Sequence, residues 1–161
     1  EDAVALLRQG AVDRVIDHMY EVPDDIATMK VAALKPLVVL PQQHAQAEGD
    51  PVDFSALADL PFVAYSQPRA RELQYMALGH HDVSPRSTLS GSSAETILGF
   101  IAAGLGWSIL PWLSDDEPAT DGVQSRTFPS SNTELEIVAA WRKDCPDNPL
   151  LDAMLEAAPK P

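Results

Sequence analysis

The stretch Gly91-Ser92-Ser93-Ala94-Glu95-Thr96-Ile97 gathers three hydroxyls and a carboxylate just ahead of an apolar run. Two kinds of chemistry suit it. Ser92 can accept a hydrogen bond from the first turn of a helix while Glu95, three residues on, bonds back to the cap amide, and such a capping box needs no ligand. The other reading uses the free N–H groups and partial positive charge of a helix N-terminus as a seat for a carboxylate or phosphate, with Ser92, Ser93 and Thr96 around it. The choice turns on whether a second polar group converges on the same place.

Tyr65-Ser66-Gln67-Pro68-Arg69-Ala70 offers that second group. It follows a strand-like apolar run and precedes a helix. Tyr65, Ser66 and Gln67 are therefore expected at the carboxyl edge of the same sheet, where ligands of open α/β sheets collect. Arg69 either adds a cation for an anionic ligand or, behind Pro68 at the first helical position, lies on a solvated face. Asp17 and His18, followed by Met19 and Tyr20, come after another short strand and supply a further strand end.

Other chemistries lack their residues. Gly79-His80-His81-Asp82 invites a metal, but adjacent histidines point apart and no second ligand pair stands at useful spacing, so no metal is assigned. The single cysteine, Cys145, can form no internal disulfide and has no zinc-type partner. Gly91 to Glu95 does not match the G-x-S-x-G elbow, and no P-loop, dinucleotide fingerprint, H-E-x-x-H or C-x-x-C occurs. No catalytic residue and no cofactor is assigned. A small hydrolase using Ser92 or Ser93 with His18 stays as an alternative that requires a serine–histidine contact.

The elements that must position these groups alternate between strand and helix. A helix over Asp2 to Gln9 stops at Gly10, and Val12 to Ile16 forms a short strand. Leu37 to Leu40 is an apolar strand between prolines, Asp53 opens a short helix, and Phe62 to Tyr65 is the next strand. The helix Pro68 to Leu78 has Leu73, Met76 and Ala77 on one face and ends at Gly79; a strand follows over Ser87 to Leu89. After the serine-capped helix, Gly104 suits a left-handed turn and Gly106 a tight entry to the strand Trp107 to Leu110. Residues 114–122 form a surface loop, 123–128 and 134–141 read as strands, and 148–158 as an amphipathic helix. This order predicts an α/β fold with mainly parallel sheets.

The 161 residues, 45% of them hydrophobic, suffice for one sizeable core or two small lobes. A formal charge of −13 with no Lys/Arg cluster excludes phosphate-backbone binding by this segment itself. No apolar run approaches the roughly 20 residues that span a bilayer, and the start lacks the layout of a signal peptide, so no membrane contact and a cytoplasmic location are expected. The chain opens in mid-architecture, which reads as a fragment.

Taken in order, Leu6-Leu7-Arg8-Gln9-Gly10-Ala11-Val12-Asp13-Arg14-Val15-Ile16, residues 37–45, residues 53–65, Ala102-Ala103-Gly104-Leu105-Gly106-Trp107-Ser108-Ile109-Leu110-Pro111 and residues 134–144 resemble the effector-binding domain of LysR-type transcriptional regulators. The resemblance covers nearly the whole chain. It implies a type 2 periplasmic-binding-protein-like fold, two α/β subdomains joined by two crossover strands. Residues 1–36 and 142–161 then form a partial first subdomain, and 37–141 the second, including the crossovers.

It further implies a small-molecule effector in the interlobe cleft, and the helix N-terminus at Ser92 and Ser93 makes an anionic metabolite the expected one. Tyr65, Ser66, Gln67, Ser92, Ser93 and Thr96 would contact it from one lobe and Asp17 and His18 from the other. Function would be sensing without turnover, in a homodimer or homotetramer whose interface uses the helix Pro68 to Leu78 and the strand Ser87 to Leu89. DNA would be bound only through a winged helix-turn-helix module absent from this chain. The family's opening strand-helix-strand is absent too, and Ala45 follows His44 where proline is usual. A solute-binding protein of the same two-lobe architecture is the competing implication.

Overall fold

In the computed structural model, which describes residues 2–19, 21–45, 51–79, 81–113, 118–128, 134–146 and 148–157, helix α1 (Ala3–Arg8) leads to strands β1 (Val15–Asp17) and β2 (Ile26–Pro41). After one 3₁₀ turn (Phe54–Leu57) come β3 (Phe62–Tyr65), α2 (Pro68–Gly79), β4 (Thr88–Gly91), α3 (Ala94–Ala102) and β5 (Ser108–Trp112). Strands β6 (Val123–Thr127) and β7 (Leu135–Arg142) and helix α4 (Pro149–Glu156) follow. Tyr20, His80 and residues 114–117 of the expected surface loop lie outside the described residues. No described helix is long and apolar enough to cross a membrane.

The chain divides into two units, residues 1–34 with 134–161 and residues 35–133. In the first, β7 pairs antiparallel with β1 and with Ile26 to Leu34 of β2, the latter ladder shifting register between Lys30 and Ala32. That pairing carries residues 134–141 into the first unit, whereas the sequence reading assigned them to the second subdomain. Asp2 caps α1 by accepting from the Val4 N–H at 3.0 Å, and Gly10, at φ +67°, ends it. Leu7, Ile26 and Ala140 form a small core against which Val4, Val12, Val15 and Met19 pack. Arg14 stands over the Trp141 ring at 4.8 Å and reaches Asp152 of α4 at 3.8 Å.

The second unit is built on period-two alternation. Val38, Leu40, Phe62, Ala64 and Ile109 point into one core with Leu57, Leu78 and Trp107, while Val39, Val63 and Leu110 point into another with Ile97, Leu98 and Ile101 of α3. The sheet is therefore buried on both faces. Residues 35–41 of β2 lie between β5 and β6, antiparallel to each. Pro36 of β2 stands opposite Pro111 of β5 in this ladder. Strand β3 runs parallel to β4, and a parallel bridge from Phe62 to Trp107 ties it to the entry of β5.

The expectation of mainly parallel sheets is thus corrected: β1 with β7 and β2 with β5, β6 and β7 are all antiparallel. Parallel neighbours need a crossover of a dozen or more residues, usually a helix. Among the described residues helices intervene only between β3, β4 and β5, and there the parallel pairing occurs.

Gly106 lets this junction close. A Cβ there would run into the Pro61 carbonyl oxygen, a backbone atom that cannot rotate away, whereas a Cβ on Gly99 in the middle of α3 meets nothing within 4 Å. Urea denaturation should separate the two: Gly106→Ala is expected to lose about 1–3 kcal/mol. Gly99→Ala is expected to gain about 0.5–1 kcal/mol with an unchanged slope.

Candidate functional site

The parallel register of β3 and β4 decides where the polar residues meet. Tyr65 pairs with Gly91, and the Ser66 N–H donates to the Gly91 carbonyl at 2.8 Å. Tyr65-Ser66-Gln67 and Gly91-Ser92-Ser93 therefore leave the sheet side by side, one leading into α2 at Pro68 and the other into α3 at Ala94. Two helix N-termini open on one sheet edge. Ser66, Gln67, Ser92 and Thr96 are exposed there, while Tyr65 and Ser93 are half-buried.

The cap of α3 differs from the expected one. Ser93, with extended backbone at φ −144° and ψ 166°, accepts from the Thr96 N–H at 3.3 Å, and its Oγ lies 3.2 Å from the Thr96 hydroxyl. Ser92 lies one residue before the cap, and Glu95 falls at the second helical position instead of the third. Glu95 hydrogen-bonds the Ser93 side chain, which holds its carboxyl below the usual range, and its charge suits the first turn. Burial, followed by the nearby Glu95 charge, pushes the Tyr65 phenol up. Gly91 is demanded from inside the protein: a Cβ would come within 2.6 Å of Ile97 Cγ1.

Two residues of α2 hold this edge, and neither is among the site residues expected from the sequence. The Gln74 Oε1 accepts from the Tyr65 N–H at 2.8 Å, and its Nε2 donates to Ser108 Oγ at 3.0 Å and the Ile109 carbonyl at 2.9 Å. Ser108 Oγ donates in turn to the Val63 carbonyl at 2.6 Å. Arg71 Nε donates to the Tyr65 carbonyl at 2.7 Å, and its second nitrogen reaches Ser90 Oγ at 3.4 Å. The buried side of α2 thus holds Gln74 and Leu78, and Met76, expected on the apolar face, is exposed. The i, i+4 spacing of Gln74 and Leu78 was the available signal.

In the first unit, Asp17 closes β1 opposite Val138 of β7, and its carboxylate accepts from the His18 N–H at 2.8 Å. His18 Nδ1–H donates to the Glu136 carbonyl at 2.9 Å, which orients the ring. The strand expected over Val12 to Ile16 is Val15–Asp17, so Asp17 belongs to it and His18 follows it. Among the described residues, no group of three or more His, Cys, Asp or Glu is placed to hold a metal ion.

The family model described as the LysR substrate binding domain matches residues 1–160. The chain belongs to this family. Its fold is accordingly the type 2 periplasmic-binding-protein-like α/β fold of LysR-type effector-binding domains, and the family is a regulatory one. HinK, a LysR family transcriptional regulator from Pseudomonas aeruginosa, is similar at 20% identity and a TM-score of 0.78, over 96% of this chain and 55% of HinK. The reduced OxyR regulatory domain from Pseudomonas aeruginosa shares 22% identity at a TM-score of 0.74, over 95% of this chain and 75% of that one. A probable LysR family regulator from Rhodococcus sp. RHA1 is similar through its C-terminal domain, at 22% identity and a TM-score of 0.77, over 95% of this chain and 77% of that one. At these identities the likeness is one of fold. This LysR-family chain spans about half the length of HinK. No curated protein matches it.

The cap register makes a direct prediction. Ser93→Ala should destabilise the second unit by about 1 kcal/mol in urea denaturation. Ser92→Ala, an exposed site outside the cap, should stay within about 0.5 kcal/mol of the parent.

Proposed function

We propose that this chain is the effector-sensing part of a bacterial LysR-type transcriptional regulator that binds a small, carboxylate-bearing metabolite and carries out no chemistry on it. The observation that carries the reading is the β3–β4 register, which joins two polar strand ends and two helix N-termini on one edge. Backbone N–H groups at such ends favour an anion, and the hydroxyls and amide of Ser66, Gln67, Ser92 and Thr96 supply orientation. Tyr65 and Ser93 frame the same edge. Asp17 and His18, at the end of β1, are the effector contacts proposed for the first unit.

Sensing suits these residues better than hydrolysis. Ser93 Oγ is engaged with Thr96, and the His18 ring is held by a backbone carbonyl instead of the carboxylate that orients a general base. The effector acts by binding one arrangement of the regulator more tightly than another, and that difference sets the size of the response. DNA is contacted by a separate winged helix-turn-helix module in a cytoplasmic homodimer or homotetramer. Tyr75, Met76 and Leu89, exposed on α2 and β4, supply the apolar surface for pairing.

The test is thermal stabilisation of the complete regulator by a panel of aliphatic and aromatic carboxylates. A ligand at one hundred times its dissociation constant should stabilise by about 2.7 kcal/mol. Ser92→Ala and Gln67→Ala, neither of which touches the cap, should each weaken binding about five- to tenfold. A panel without any stabilising acid, or full binding in both variants, overturns the assignment of this edge.

A further inference from the structure

A recess of about 450 Å³ opens on the second unit between the 3₁₀ turn and the loop that follows α2, with Trp107 in its wall. Trp107 and Phe62 meet at the amino end of β3, so the recess lies at the opposite end of that strand from Tyr65 and the polar edge. Aromatic packing holds the wall. The Phe54 ring centroid is 5.4 Å from that of His81 and 5.8 Å from that of Trp107, and His81 stands edge-on to Phe128 at 4.8 Å. The loop is tied to the helix end: Val83 N–H donates to the Leu78 carbonyl at 3.1 Å and Asp82 N–H to that of Gly79 at 3.3 Å. Asp82 takes φ +54°, a conformation that aspartate tolerates better than most residues.

Two polar atoms of this wall are left over. Trp107 is 1% exposed, and among the described residues its indole Nε1 has no hydrogen-bond partner; His81 Nε2 is likewise buried and without one among them. An indole N–H can only donate, and a buried donor left unpaired costs about 1–3 kcal/mol. At the rim, the hydroxyl and the N–H of Ser55 donate to the Asp53 carboxylate at 2.6 and 2.9 Å and hold its carboxyl below the usual range. Asp82 adds a second exposed carboxylate, and among the described residues no lysine or arginine lines the recess. Its volume lies within the roughly 300–1,000 Å³ typical of small-ligand sites.

We propose that this recess is a second small-molecule site, independent of the polar edge, for a planar nitrogen heterocycle that is neutral or cationic. A ring acceptor of the ligand takes the Trp107 N–H, His81 Nε2 pairs with a neighbouring polar atom of the ring, and the ligand's N–H groups face Asp53 and Asp82. The ring stacks into the aromatic wall, and the two carboxylates turn anions away.

The complete regulator, ¹⁵N-labelled, is titrated with adenine, nicotinamide and benzoate while its indole N–H signals are followed. Trp107 is assigned by the loss of its signal in Trp107→Phe, and Trp112 and Trp141 serve as internal controls. Adenine or nicotinamide is expected to move the Trp107 signal alone, with benzoate at least about tenfold weaker. His81→Phe keeps a ring against Phe54 and Phe128 but removes Nε2, and should weaken the heterocycle about tenfold. Asp53→Asn keeps the oxygen that caps the 3₁₀ turn and should weaken it about threefold or more. If one variant fails to fold, the other decides. Ser92→Ala is expected to bind the heterocycle as the parent does. The proposal is overturned if neither heterocycle moves the Trp107 signal at millimolar concentration, if benzoate binds equally well, or if both folded variants bind like the parent.

Discussion

The buried side-chain amide of Gln74 is the joint on which the layout of the second unit depends. At 2% exposure it meets β3 through the Tyr65 N–H and β5 through Ser108 and Ile109, so one helix residue fastens two strands. An amide in a low-dielectric interior holds its place only when its donors and acceptor are met, and here they are. The bonds from Gln74 and Arg71 both converge on Tyr65, which sets where α2 begins relative to the end of β3. The polar edge inherits its geometry from that joint.

The same economy governs the other helix. Gly91 brings the end of β4 close beneath α3 because Ile97 fills the space a side chain would need. Ser93 then satisfies one of the first free N–H groups, and Glu95 places negative charge beside the others. An incoming carboxylate must therefore compete with a charge already present, and the uncapped hydroxyls of Ser66 and Ser92 gain weight as orienting groups. A net charge of −13 gives this chain no general attraction for anions, so selectivity has to arise from local donors.

Much of this was legible in the residues. Phe62 to Tyr65 could be read to the residue because Pro61 and Pro68 punctuate a short apolar run, and Pro68 and Gly79 bound α2 as their backbone preferences dictate. The adjacency of Ser66 and Gly91 followed from the helix between their strands. Other features have no local signature. Two neighbouring serines are equivalent in a pattern, and only the backbone angles make Ser93 the cap. The first half of β2 escaped notice because Ala27 to Ala33 lacks alternation and Lys35-Pro36 looks like a stop. Strand direction depends on partners far along the chain. Nothing local marks Gln74 as buried, because its partner Ser108 lies 34 residues further along the chain.

The facing prolines of β2 and β5 have a consequence for how the chain reaches this fold. Neither Pro36 nor Pro111 has an N–H, so the two can stand opposite each other without loss only where an antiparallel ladder makes no bonds between the paired residues. A slip of one residue would move one of the two prolines into a slot that calls for a donor, and a slip of β2 would also send Val38 and Leu40 into the core made for Val39. The wrong alignment is penalised twice, by missing bonds and by exchanged faces. Two residues usually regarded as strand breakers act here as a proofreading device for strand assembly.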